Sequence, residues 1–326
     1  MKNPKVVLAS PRGFCAGVVR AIDIVNLALK VYGRPIYVRR EIVHNKYVVN
    51  ELRLKGVTFV NELDEVPSGA RMIFSAHGVP PEVAVAASDR NLKVIDATCP
   101  LVTKVHREAL RYARQGYTII LIGHSEHDEV IGTLGEAPES IIVLNPEDGI
   151  ENLAIPNPKK IVYLTQTTLS LNDTRQIVDK LRQKFSSIKA PGSEDICYAT
   201  QNRQSAVLEL ASKTQLILVV GSANSSNSCR LVEVAKNAGT PAYLINDTED
   251  IKPAWLEGAE AIGLTAGASA PEGLVEKVAH YLNSLGYPGI ETAGAIIEDV
   301  EFSLPLELVK AARNMKHGAK VKGKSC

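Results

Sequence analysis

Long apolar runs are missing from this 326-residue chain: none approaches the roughly 20 residues needed to cross a bilayer. The start, Met-Lys-Asn-Pro-Lys-Val-Val-Leu-Ala, carries charge but no apolar h-region and no cleavage site, which argues against secretion. Neither sign of charge is in excess. A formal net charge of +1 argues against nucleic acid as the main partner. Cysteine is scarce and odd in number, five in all, so no disulfide framework is expected and a reducing cytoplasm is the expected compartment. There is no Walker lysine motif and no G-x-G-x-x-G after the first strand, which leaves nucleotide binding without support. What remains, at 45% hydrophobic and 22% charged residues, is the composition of a globular protein long enough for about two or three domains.

Against this background three of the cysteines stand out by position. Each opens the same module. Cys15 is followed by Ala-Gly-Val-Val-Arg20, Cys99 by Pro-Leu-Val-Thr-Lys104, and Cys197 by Tyr-Ala-Thr-Gln-Asn-Arg203. Each stretch reads as a helix with its cysteine at the mouth. Strand-like Lys5-Val-Val-Leu-Ala9 and Lys93-Val-Ile-Asp96 lead into the first two, and residues 193–196 into the third. A thiolate at a helix N-terminus is favoured by the macrodipole, and thiolates bind metals. Three matching positions therefore suggest one shared centre.

Two further strands per module end in polar clusters. The clusters include His44-Asn45, His124 to Glu129, and Ser225-Ser226-Asn227 after the second strands. After the third strands come His77, Thr167-Thr168 and Ser269. The apolar runs are continuous rather than alternating, as in parallel strands covered on both faces, and strands alternate with helices. The expected fold is α/β, three small parallel-sheet lobes in pseudo-symmetry. Ligands gather at the carboxyl ends of such strands, where every cluster lies.

Metal chemistry stays open on these residues alone. Three thiolates plus a nearby His would close a structural zinc site, whereas three thiolates alone would leave one iron of a 4Fe–4S cluster open. Cys229 and Cys326 read as small buried hydrophobes. The Ser, Thr and Asn side chains at helix entrances, with His44, His77 and His127, describe a pocket for a strong anion such as a diphosphate, although each alone reads equally as an N-cap. Glu129 is the carboxylate among them. In an extended loop, alternation turns it to the same side as His127. It serves either as a buried proton donor with raised pKa or as a cap of the helix starting near Val130.

Taken together, these residues resemble the 4-hydroxy-3-methylbut-2-enyl diphosphate reductase family of the non-mevalonate isoprenoid route, from about residue 5 to 282. The resemblance is carried by Pro-Arg-Gly-Phe-Cys15-Ala-Gly-Val, Val-His44-Asn, Ser-Ala-His77-Gly-Val, Asp-Ala-Thr-Cys99-Pro-Leu-Val and Thr-Gln-Thr167-Thr168-Leu-Ser. Asp-Ile-Cys197-Tyr-Ala-Thr, Val-Gly-Ser-Ala-Asn-Ser225-Ser226-Asn227-Ser and Thr-Ala-Gly-Ala-Ser269-Ala-Pro complete it. It implies three lobes, residues 14–98, 99–192 and 193–282, around a central 4Fe–4S cluster, with strand 1–13 joining the third. By the same resemblance Cys15, Cys99 and Cys197 hold the cluster. His44, His77, His127, Thr168, Ser225, Ser226, Asn227 and Ser269 contact the diphosphate substrate, Glu129 relays protons, and Thr167 positions both the glutamate and the substrate hydroxyl. An external electron donor such as ferredoxin or flavodoxin is implied, and neither nucleic acid nor membrane is a partner.

One departure touches the site: the family usually reads His-Pro-Glu where this chain has His127-Asp128-Glu129, which affects loop rigidity and local charge. A hydro-lyase using the same open cluster, and a non-catalytic iron–sulfur or zinc protein, are the competing readings. Beyond residue 283 the resemblance fades. Lys310 to Cys326 holds six Lys or Arg, one His and no acid, and reads as a solvated tail, with a donor-docking patch as its alternative.

Overall fold

The computed structural model describes residues 4–151, 153–155 and 158–322, so Cys326 lies outside the described residues. Strand β1 (Lys5–Ala9) precedes helix α1 (Ala16–Tyr32). Then come β2 (Ile36–Arg39), α2 (Lys46–Leu54), β3 (Val57–Val60), β4 (Arg71–Phe74), α3 (Pro81–Asp89) and β5 (Lys93–Asp96). The middle of the chain forms α4 (Pro100–Arg114), β6 (Thr118–Ile122), α5 (Asp128–Glu136), β7 (Ile141–Leu144), β8 (Ile161–Thr165) and α6 (Leu171–Lys184). The last third contains α7 (Tyr198–Ala211), β9 (Leu216–Val220), α8 (Ser226–Asn237), β10 (Ala242–Ile245), α9 (Pro253–Leu256) and β11 (Ala261–Ala266). It closes with α10 (Glu272–Ser284), β12 (Gly289–Ala293) and α11 (Leu306–Lys322).

These strands make three sheets, ordered β3-β2-β4-β5, β7-β6-β8 and β10-β9-β11-β1-β12. Among the described strands every ladder pairing is parallel. The residue pattern accounts for this. Thr-Ile-Ile-Leu-Ile of β6 and Leu-Ile-Leu-Val-Val of β9 are buried along their whole length, which requires cover on both faces. Ile119 and Leu121 pack with Val105, Ala109 and Val130 of α4 and α5, while Ile120 and Ile122 pack with Val178 and Leu181 of α6. The largest sheet divides likewise. Leu218 and Val220 meet Leu274 and Val278 of α10, and Ile217 and Val219 meet Val207 and Leu231 of α7 and α8.

Strand β1 sits inside the third lobe's sheet, Val6 lying opposite Ile262 on one side and Ile290 on the other. The chain therefore passes from that sheet to Cys15, from the first lobe's sheet to Cys99, and from the second lobe to Cys197. All three cysteines are N-caps, of α1, α4 and α7.

Two expectations are corrected. Residues 193–196 form no strand. Asp195 bonds the end of β8 with its side chain instead, its carboxylate accepting from the Thr165 N–H at 3.0 Å. The segment after residue 282, expected as a C-terminal tail, carries a strand and a helix within its described residues, up to Lys322. Strand β12 pairs with β1, and α11 lies against α1 with Leu308 buried beside Ile24, Val25 and Ile73. Strand β12 is a mostly exposed edge, so its sequence shows no buried period, and α11 gains its apolar cover only from a helix nearly 300 residues away. Leu308→Ala should therefore lose about 2–5 kcal/mol, read as a lower denaturant midpoint. A side chain on a solvated tail would leave that midpoint unchanged.

Candidate active site

The carboxyl ends of the three sheets face one cavity of about 760 Å³, its mouth included. Cys15, Cys99 and Cys197 lie in its lining, and so do His44, His77, His127, Glu129, Thr167, Thr168, Ser225, Ser226, Asn227 and Ser269. Every site residue expected from the sequence is thus brought to one place. Cys229 lies on α8 and is not part of the lining.

The cysteine end is partly buried. Burial pushes the Cys99 thiol up to about 12, with further repulsion from Cys15 and Cys197. It pushes Cys197 up to about 11, with Cys15 adding to it. At these two cysteines, desolvation outweighs the pull of the helix N-terminus toward the thiolate. Ionising the sulfurs therefore calls for a cationic partner. Their spacing bears on which one. Among the described residues, the trio of metal-type ligand atoms within 4.8 Å of one another is His44, His77 and Asp128, so at least one pair of the three thiols is farther apart than that. Around a single zinc, with bonds of about 2.3 Å, all three sulfurs would lie about 3.8 Å apart. The donor set fits a multi-iron cluster better than one ion. Gly17 keeps the space clear, because a Cβ there would lie 2.7 Å from the Cys99 sulfur.

At the opposite end three imidazoles gather. His44 and His77 stack with ring centres 4.0 Å apart, and His127 meets each edge-on at 5.4 and 5.8 Å. Burial, and then its neighbouring histidines, hold His77 well below the usual range. His127 is pulled down to about 3 by burial first and His44 second. His77 and His127, held toward the neutral form, still offer ring N–H groups and are poised to receive negative charge. The mouth of α8 adds Ser225, whose Oγ caps the helix by accepting from the Ser228 N–H at 3.3 Å. Three contacts tie the walls across lobes. Thr168 donates to Ser226 at 2.9 Å, Ser269 donates to the His44 carbonyl at 2.9 Å, and Arg40 forms an ion pair with Asp128. That pair neutralises the acid this chain carries beside the anion pocket.

Glu129 lies between the two ends. It sits in the first turn of α5 rather than in an extended loop, and it does not cap that helix. His127 is the cap, its Nδ1 accepting from the Glu129 N–H at 3.2 Å. The freed carboxylate accepts from the Thr167 N–H at 2.6 Å and from the Thr167 hydroxyl at 3.1 Å. Burial nonetheless raises it to about 7. It can hold a proton at neutral pH and release it.

Among the lining groups that sequence reasoning misses are Thr200, Tyr198 and Phe302. Thr200 touches Cys197 Sγ at 3.2 Å and accepts from Asn227 at 3.4 Å, so it joins the two ends. Its place three residues after a cysteine, on the same helix face, is the available signal. Phe302 has none, since it reaches the cavity only through the fold of the C-terminal segment.

A family model described as LytB protein matches residues 6–283. The chain belongs to the LytB family. It is 54% identical over 308 residues to the 4-hydroxy-3-methylbut-2-enyl diphosphate reductase of Hahella chejuensis, covering 93% of this chain and 97% of that one. With the enzyme of the same name from Mycolicibacterium gilvum it shares 53% over 305 residues, 93% and 92% of the two chains. The solved E-1-hydroxy-2-methyl-but-2-enyl-4-diphosphate reductase of Plasmodium falciparum superposes with a TM-score of 0.91 at 39% identity, covering 96% of this chain and 99% of that one. This LytB chain is accordingly an α/β protein of three parallel sheets with the fold of that enzyme.

Gly17→Ala tests the cysteine end. Its methyl must displace the Cys99 sulfur, so iron retained per chain after anaerobic reconstitution should fall well below the parent. Gly273→Ala, on α10 with open space around its Cβ, should retain the parental amount.

Proposed function

We infer that this chain catalyses the reductive dehydroxylation of 4-hydroxy-3-methylbut-2-enyl diphosphate to isopentenyl and dimethylallyl diphosphates, the last step of non-mevalonate isoprenoid precursor synthesis. Two electrons and two protons enter, the allylic C–O bond breaks and water leaves. One observation carries the reading: a buried, proton-bearing carboxyl, Glu129, stands in the same cavity as three inward thiols and three packed imidazoles. When bound, a 4Fe–4S cluster held by Cys15, Cys99 and Cys197 supplies electrons and, at the iron without a cysteine, a Lewis-acid position for the hydroxyl.

The remaining steps belong to side chains. His44, His77 and His127 take up the diphosphate charge with Ser225, Ser226, Asn227, Thr168 and Ser269, and the α8 N-terminus adds its N–H groups. Anchoring that end directs the hydroxyl toward the thiols that line the same cavity. Glu129 donates the proton that lets water depart. Thr167 fixes its carboxyl with two hydrogen bonds and shares its hydroxyl with the substrate's. Burial keeps competing water from the reacting carbon. Because the chain carries no flavin or nicotinamide motif, a ferredoxin or flavodoxin is the donor class we propose. Its cysteine usage suits the cytoplasm, and no helix among the described residues is long and apolar enough to cross a membrane.

Anaerobic incubation of the reconstituted protein with the hydroxylated diphosphate and dithionite should yield both products, and none without the reductant. Turnover without reductant would make it a hydro-lyase and overturn the reading.

Glu129→Gln should retain iron and diphosphate affinity but turn over about 10²- to 10⁴-fold more slowly. The pH dependence has a definite sign. Glu129 acts in its protonated form, so parental kcat/KM should decline as pH rises through about 7. The same raised pKa means that folding favours the protonated acid. The parent should thus lose stability relative to the Gln variant as pH climbs from the ordinary carboxylate range, near 4.5, to about 7, as thermal melting across pH would show.

A further inference from the structure

Each of the three cysteine helices carries one cation a turn and a half beyond its cysteine: Arg20 and Lys104 at the fifth position, Arg203 at the sixth. Their heads do similar work at three separate places. Arg20 Nη1 donates to the Ala97 and Thr98 carbonyls, at 3.2 and 3.0 Å, in the loop that ends at Cys99. Lys104 Nζ donates to the Ser193 and Glu194 carbonyls and the Asp195 carboxylate, at 2.9, 2.7 and 2.9 Å, in the loop that ends at Cys197. Arg203 donates to the Gly13 carbonyl through Nε and Nη2, at 3.0 and 2.6 Å, and to the Phe14 carbonyl at 3.3 Å, in the loop that ends at Cys15. The circuit closes. Helix of Cys15 to loop of Cys99, helix of Cys99 to loop of Cys197, helix of Cys197 to loop of Cys15: each clasp spans one edge of the thiol triangle.

The C-terminal segment completes two of the three. Arg203 is fully buried, and its charge is balanced by Glu298, 3.1 Å away, which also accepts from Asn202 at 3.0 Å. Arg20 Nε donates to the Ser303 carbonyl at 2.9 Å. Both Glu298 and Ser303 lie beyond the family-matched span that ends at 283.

The carbonyls held by Arg20 and Arg203 lie one or two residues before their cysteine and those held by Lys104 three or four. Fixing them restrains where each cysteine's Cα stands, and hydrogen bonds to a cation are the stronger kind. Backbone bonds such as Cys15 N–H to the Ala268 carbonyl and Cys197 N–H to the Thr167 carbonyl hold single cysteines to a neighbouring lobe, whereas the three cations tie each cysteine helix to the next cysteine's loop in a ring. We propose that Arg20, Lys104 and Arg203 are a cyclic set of positioning residues that jointly set the separation of the three cluster-binding thiols. This rests on the cluster reading above.

The decisive variants are Lys104→Met and Arg20→Met, whose side chains are only partly buried; Arg203→Met is a third, and its failure to fold would leave the other two to decide. In reconstituted protein under anaerobic conditions, iron release to a chelator should speed up about 10- to 100-fold, as for other residues that orient metal ligands. The electron paramagnetic resonance signal of the reduced cluster should shift. Lys104→Arg should restore both, and Lys213→Met, paired with Glu209 on the surface, should match the parent. A second measurement needs no iron. In the iron-free protein, iodoacetamide labelling read peptide by peptide should accelerate at Cys197 in Lys104→Met and at Cys99 in Arg20→Met, each several-fold above the other cysteines. Parental iron release with parental labelling, even alongside a lowered melting temperature, would reduce the clasps to ordinary packing and overturn the proposal. A parent protein that holds no iron would count against the proposed cofactor, and the labelling pattern would then judge the clasps alone.

Discussion

Dehydration of the central cavity is the constraint on which the rest of the molecule depends. Three sheets point their carboxyl ends at one another, and the enclosed groups lose water they cannot easily replace. Each responds by shedding charge: two thiols and a carboxyl move up, while two imidazoles move down. A cavity tuned this way holds few charges of its own and interacts strongly with charges brought to it. A cationic iron–sulfur core at one end and a diphosphate at the other are the complementary charges that would restore ionisation, and Glu129 between them keeps a proton near neutrality. Burial thereby links binding to protonation without any residue designed for that purpose alone.

The architecture follows from where such a cavity can be built. A parallel sheet buries both faces, so its polar side chains concentrate at strand ends, and the N-termini of the following helices arrive there too. One sheet offers a crevice, whereas three facing sheets surround a chamber. Because the chain crosses from each lobe to the next at a cysteine, the same crossings that join the lobes place the thiols. The contacts between Thr168 and Ser226, Ser269 and His44, and Arg40 and Asp128 then seal the far wall. Asp128 brings a charge to this wall, and a cation from the neighbouring lobe, Arg40, meets it.

Much of this architecture is legible in the order of the amino acids. Continuous apolar runs such as those of β6 and β9 imply burial on both faces, and the recurrence of cysteine before a helix implies a shared centre, because period and position are local properties. Weak local signals mislead. Residues 193–196 read as a strand because Ile196 follows a polar lead-in, but the Asp195 side chain replaces the backbone pairing. The segment after 283 reads as tail, because β12 is an exposed edge and α11 carries only a short apolar stripe. Its Leu308 is buried by α1, which no local window contains.

The sequence by itself determined the kinds of groups present and the order in which strands and helices alternate, since propensity, periodicity and capping act over a few neighbouring residues. It also determined that thiols, imidazoles and one carboxylate would sit at strand ends. Only the tertiary structure decided that Glu129 bonds Thr167 rather than capping its own helix, and that Arg203 reaches back 190 residues to Gly13. Phe302 belongs with these, entering the cavity from a segment that sequence left outside it. The physical reason is the same in each case: desolvation and hydrogen-bond partners depend on which distant surfaces meet, and sequence spacing does not encode that distance.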